Sequence, residues 1–209
     1  MLKIWGRRSS SNVQKVLWTC DELGLPYKRV DVGGPFGGLD TPQYRAINPN
    51  GLIPTIEDDD GFILWESHAI IRYLADGDER HRLMPQTLSR RERANMDQWM
   101  DWAMVALGLS LRTLFMLLYK QGSSAPSAQH QATAAEQVAA AFAILDLHLQ
   151  SSRFVGGQLF TVADIPAGVS AHRWYRLAVQ RPKLPALEAW YEAICCRQGF
   201  QAVRSISVP

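Results

Sequence analysis

Three clusters in this 209-residue chain hold side chains suited to chemistry. Ser9, Ser10, Ser11 and Asn12 stand between a short apolar run and an amphipathic stretch, so their hydroxyls and amide fall at a strand-to-helix junction. Ser11 and Gln14 make S-x-x-Q, a capping-box pattern that commits the Ser11 hydroxyl to the helix and leaves Ser10 and Asn12 for chemistry. Glu66-Ser67 lies at a second such junction, where unpaired N–H groups and the positive end of a helix dipole create an anion site. Ser67 is there an extra donor or simply the cap of its helix, and the two uses share one geometry. The third cluster is Ile53-Pro54, directly after the turn Asn48-Pro49-Asn50-Gly51; a proline opening a strand is by itself ordinary.

The elements that position these clusters follow from periodicity. Residues 2–5 read as a strand, 13–23 as an amphipathic helix closed by Gly24, and 27–32 as a second strand, a β-α-β unit with parallel strands. Residues 53–57 and 62–65 read as an antiparallel hairpin across Asp60-Gly61, and a helix over 67–76 completes the order. That order predicts an α/β thioredoxin-like N-terminal domain over 1–78. Strand signals then stop, and an all-α helical C-terminal domain is expected over 87–209. It contains one long or kinked helix over 87–120, a break at residues 123–126, a striped helix through Ala135, Val138, Phe142, Leu145 and Leu149, a T-x-x-D helix start at Thr161 and Asp164, and a last helix from Pro185.

Composition narrows the function classes. Eight basic and eleven acidic residues precede the middle of this division, up to Asp78, against fourteen and nine after it, a mild asymmetry short of a nucleic-acid footprint. The longest apolar run, 102–111, is about half the ~20 residues that cross a bilayer, so no membrane partner is expected. The charged start of the chain has no apolar signal region, which gives a cytoplasmic expectation. Cys20, Cys195 and Cys196 cannot build a framework of disulfides, and Cys20 shares the apolar stripe of its helix. The five histidines lack metal-site spacing, so no metal is expected.

With the order in place, three segments resemble the N-terminal signatures of cytosolic glutathione transferases: residues 10–17 (SSNVQKVL), 48–55 (NPNGLIPT) and 64–74 (LWESHAIIRYL). The stretch TVADI from Thr161 is similar to the capping box in that family's helical domain. The serine before the first helix resembles theta-like and phi-like classes, and Ser10 with Asn12 resembles the bacterial nu-like enzymes.

The resemblance implies glutathione as co-substrate and no other cofactor. It implies a cis bond before Pro54, with the backbone of Ile53 pairing to the cysteinyl unit of glutathione as an added strand would. Glu66 and Ser67 would hold the γ-glutamyl group, and Ser10 or Asn12 would donate to the sulfur and favour its thiolate. Leu39 and Leu52 stand where the family often has polar contacts to the glycyl end. Arg7 and Arg8 are either compensating charges or a solvated pair. Met104, Leu107, Leu111 and Phe115 would line a pocket for a hydrophobic electrophile between the domains, and a homodimer is implied. Three activities remain open: conjugation of the thiolate to small electrophiles, nu-like disulfide or peroxide reduction, and noncatalytic ligand binding on the same fold.

Overall fold

The computed structural model describes residues 1–119 and 127–206. Two compact units divide the chain: residues 1–86 together with the segment from Cys195 onward, and residues 87–194.

In the first unit the elements run β1 (Leu2–Trp5), α1 (Ser11–Leu23), β2 (Tyr27–Val30), α2 (Pro42–Ile47), β3 (Thr55–Glu57), β4 (Ile63–Trp65) and α3 (Ser67–Asp76). The sheet order is β2-β1-β3-β4, with β1 parallel to β2 and antiparallel to β3, and β3 antiparallel to β4. This is the thioredoxin-like arrangement that the element order predicted. The stripe Val13, Val16, Leu17, Cys20 and Leu23 buries one side of α1, while Ile70, Ile71, Leu74 and Ala75 bury the matching side of α3, and the two helices pack together. Gly24 ends α1 in the left-handed conformation, φ 59°. β3 begins at Thr55 rather than at residue 53, because Pro54 has no N–H to give to the ladder.

The C-terminal segment corrects the expected boundary, which ran the helical domain to residue 209. From Cys195 on, the chain returns to the first unit. Arg197 makes two bonds to the Glu22 carboxylate, 2.9 and 2.8 Å, and Phe200 packs its ring 4.6 Å from that of Trp18 on α1. A short helix, α9 (Gln201–Arg204), follows. Gly199 is needed there, since a Cβ would lie 2.8 Å from the Glu22 backbone nitrogen.

The second unit is helical: α4 (Arg90–Trp102), α5 (Leu109–Tyr119), α6 (Ala128–Leu149), α7 (Asp164–Arg176) and α8 (Pro185–Cys195). Ser89 and Glu92 form a reciprocal capping box at the start of α4. Between α4 and α5 the backbone widens into a π-helical segment, Ala103–Gly108. The continuous stretch Arg90–Tyr119 is long and apolar enough by length and composition to cross a bilayer, which the shorter apolar run in the sequence did not reveal. The expected break at 123–126 lies outside the described residues.

Asp164 organises this unit. Fully buried, its carboxylate accepts from the backbone N–H of Val155 and of Thr161 and from the indole N–H of Trp190, each at 2.9 Å. Only half of the expected reciprocal box forms, because the Thr161 hydroxyl accepts from Ala163 N–H rather than from the N–H of residue 164. Removing a buried carboxylate leaves three donors unmet. Asp164→Ala should therefore cost ~3 kcal/mol or more, roughly a 6–12 °C fall in Tm. A loss below ~1 kcal/mol in thermal or denaturant unfolding would contradict this assignment.

Candidate active site

The loop before α1 is shaped by its backbone. Gly6 N–H donates to Val30 O, Arg7 N–H to Val32 O, and Ser10 N–H to Arg7 O at 3.1 Å. Gly6 has φ 150°, and a Cβ there would sit 2.4 Å from Val13 Cγ2 and 3.3 Å from Ile53 Cβ. Glycine thus lets this loop lie close to both Val13 of α1 and Ile53.

Ser10, not Ser11, is the N-cap of α1, and its side chain makes no capping hydrogen bond. Ser11 is the first helical residue, and Gln14 turns its amide to the Arg8 carbonyl at 3.3 Å. The S-x-x-Q box expected from the sequence is therefore absent, because the helix begins one residue earlier than the box requires. The Ser10 hydroxyl is half-buried and not spent on its own helix, whereas Asn12 is exposed.

Opposite this loop, the peptide bond Ile53-Pro54 is cis. Three buried polar side chains hold the chain just before it. The Tyr44 hydroxyl donates to Leu52 O at 2.7 Å, and Asn48 Nδ2 donates to the same carbonyl at 2.9 Å. Asn48 Nδ2 also donates to Thr55 Oγ1 at 3.0 Å, leaving the Thr55 hydroxyl to donate to the Tyr44 oxygen at 3.0 Å. Asn48 Oδ1 takes the backbone and side-chain N–H of Asn50, 3.1 and 3.2 Å. Read as a turn from the sequence, Asn48 is thus the buried hub of the loop. Ile53 lies just outside the sheet ladder, and the Leu52 side chain is exposed. Leu39 and Ile53 converge over Gly33, where a Cβ would meet their Cδ1 atoms at 3.1 and 3.3 Å.

The third wall is the start of α3. Its N-cap is Glu66 at φ 73°, ψ 114°, a backbone conformation that costs a non-glycine residue on the order of 1–3 kcal/mol. Ser67 follows as the first helical residue, buried, and so is not the cap. A small cavity of about 40 Å³ is lined by Asn12, Asn48, Asn50, Leu52, Ile53, Pro54, Glu66 and Ser67. The structure thus gathers Asn12, Leu52, Ile53, Pro54, Glu66 and Ser67 around one space, while Ser10 and Leu39 stand on the adjoining loops.

One group at this site was missed in the sequence. Lys15 on α1 is buried, its Nζ 3.0 Å from Asn12 Oδ1 and 3.0 Å from His68 Nε2. Burial pushes its ammonium down to about 8, against the opposing pull of Glu66. A lysine at that spacing reads as a solvated charge in one dimension, and only its contact with His68, 53 residues away, shows otherwise. Cys20, by contrast, is fully buried and its thiol is pushed well above the ordinary range by desolvation, which makes it inert.

In the helical unit, Leu107 and Leu111 are buried in the core, whereas Met104 is exposed and Phe115 half-buried under the Arg173 guanidinium, 4.8 Å from its ring. Of the four expected pocket residues, Met104 and Phe115 therefore keep accessible surface, and Leu107 and Leu111 are buried.

Two family models match the chain: the glutathione S-transferase N-terminal domain over residues 9–76 and the C-terminal domain over 96–198. The chain belongs to the glutathione S-transferase family. It is 35% identical to glutathione S-transferase GstB of Escherichia coli (strain K12), covering all of both chains. It is 30% identical to the Escherichia coli disulfide-bond oxidoreductase YfcG, over 89% of this chain and 86% of that one. Its structure is similar to that of a theta-class glutathione S-transferase from Xanthomonas axonopodis pv. citri with glutathione bound, with TM-score 0.91, 38% identity, and coverage of 100% and 99% of the two chains.

Because this transferase caps α1 with a serine side chain at neither position, Ser11→Ala should leave stability within ~0.5 kcal/mol of wild type. A fall of ~1 kcal/mol or more in denaturant unfolding would restore the capping box.

Proposed function

We propose that this protein conjugates the thiolate of glutathione to small hydrophobic electrophiles. The observation that carries the reading is the convergence of the Ile53-Pro54 turn with two helix starts, those of α1 and α3, around one cavity. The γ-glutamyl carboxylate fits the N–H groups and Ser67 hydroxyl at the positive end of α3, and Glu66 accepts from the γ-glutamyl ammonium. The backbone of Ile53 pairs with the cysteinyl unit. That alignment sends the sulfur toward the start of α1, where Ser10 and Asn12 can donate to it.

A free thiol has a pKa near ~8.5, so a donor and a helix dipole must favour the anion for it to attack at neutral pH. The thiol proton leaves to water, the sulfur lone pair forms the new bond to carbon, and the leaving group departs with its electrons. A cytoplasmic homodimer is part of the reading, and light scattering should give a mass near twice the 23.5 kDa chain rather than the chain mass itself.

A second reading, glutathione-dependent disulfide reduction, is favoured by one feature: Asn12 lines the cavity and Ser10 does not. The likeness to YfcG supports it. Ser67→Ala should weaken glutathione binding about ten- to a hundredfold, matching one hydrogen bond to a charged group at ~1.5–3 kcal/mol. Ser10→Ala and Asn12→Ala should then be assayed with an aryl halide and with a mixed disulfide. Loss of roughly ten- to a thousandfold in kcat at Ser10 with the halide supports conjugation through the serine. A greater defect at Asn12, chiefly with the disulfide, supports the second reading. Unchanged glutathione affinity in Ser67→Ala would remove the binding mode altogether.

A further inference from the structure

Lys15 is a buried cation that the proposed chemistry leaves unused. It sits one turn into α1, three residues beyond Asn12, and only 7% of it is exposed. An ammonium has donors and no acceptor, so its two contacts dictate how its neighbours are oriented. The Asn12 oxygen must face Lys15, 3.0 Å away, which turns the Asn12 NH₂ away from the lysine. His68 Nε2, 3.0 Å from Nζ, must be the acceptor nitrogen of a neutral ring, with the proton on Nδ1. Among the described residues, the polar and charged groups that face Lys15 are Asn12 on its own helix, His68 on α3 and Glu66 at the start of α3.

We propose that Lys15 is a positioning residue of the glutathione site: its ammonium locks the Asn12 amide so that the NH₂ faces the ligand sulfur, and its charge strengthens that donor toward an anionic sulfur. The inference rests on the glutathione reading above and names what orients the donor. Two observations support it. Asn12 is exposed and lines the cavity, so without Lys15 nothing else recorded among the described residues holds its amide. Burying a cation is costly unless it is compensated, and Lys15 has no carboxylate within salt-bridge distance among the described residues, only the longer-range pull of Glu66. The Asn12 oxygen and His68 Nε2 are the acceptors that compensate it, which makes the Asn12 orientation a condition of the burial.

The test separates positioning from folding and from ligand capture. Lys15→Met, Lys15→Gln, Asn12→Ala and the double variant Lys15→Met/Asn12→Ala are compared with wild type. Affinity for S-methylglutathione, which has no thiol, reads the rest of the site, and thiolate ultraviolet absorbance against pH reads the bound sulfur. In Lys15→Met the bound thiol should titrate about one pH unit higher, a roughly tenfold loss of thiolate near neutrality. S-methylglutathione should bind within about threefold of wild type. The double variant should titrate as Asn12→Ala does, because Lys15 acts through Asn12. Lys15→Gln, which keeps a polar atom beside His68, should shift the thiol in the same direction and carries the test if the methionine variant does not fold. Wild-type thiol titration in a folded Lys15 variant, or additive shifts in the double variant, would overturn the proposal. If wild type binds neither glutathione nor S-methylglutathione, the glutathione reading itself fails and this inference falls with it.

Discussion

The candidate site depends on the carbonyl of Leu52, which accepts two hydrogen bonds from buried side chains, Tyr44 Oη and Asn48 Nδ2. A carbonyl held twice from the inside cannot swing toward solvent without leaving two buried donors unmet, at ~1–3 kcal/mol each. That restraint fixes the stretch running into Pro54, and Pro54 in turn sets where β3 can begin. Thr55 closes the arrangement from the other side, as both a ladder residue of β3 and a partner of Tyr44 and Asn48. The buried side chains of the loop, Tyr44, Asn48 and Thr55, are all hydrogen-bonded, and that network holds it as polar contacts hold a core.

Around that turn the fold places two helix starts whose own capping groups are not consumed. Ser10 caps α1 by position but not by side chain, and Glu66 caps α3 with a strained backbone and no side-chain bond. In an ordinary helix the cap hydroxyl or carboxylate would satisfy the first N–H groups. Here neither the Ser10 hydroxyl nor the Glu66 carboxylate makes such a bond. The strain at Glu66 and the buried charge of Lys15 are local costs beside one cavity, offset by packing elsewhere in the unit.

The rest of the chain shows the same use of single buried polar groups to tie distant segments. Asp164 joins the loop at Val155, the turn at Thr161 and Trp190 of α8. Asp146 on α6 accepts from Leu187 N–H at 2.9 Å, so the start of α8 is capped from 41 residues away. Glu22 on α1 receives Arg197 and thereby returns the C-terminal segment to the first unit.

The local pattern of residues was enough to determine the strands and helices in order, the parallel and antiparallel pairings, the apolar stripes of α1 and α3, and the three clusters that meet at the cavity. These are readable because periodicity, turn chemistry and the geometry of proline act over a few residues. Four matters were settled only in three dimensions. Ser10 rather than Ser11 is the cap, since where a helix begins depends on the path of the loop leading into it, here held by the backbone bonds of Gly6, Arg7 and Ser10. Asn12 rather than Ser10 lines the cavity, and Lys15 is buried, since both depend on α3 lying against α1. Leu107 and Leu111 went to the helical core, since an apolar stripe does not say which of its members faces a neighbour. The segment after Cys195 left the helical unit, since an ion pair between Glu22 and Arg197 joins residues whose separation no local signal spans.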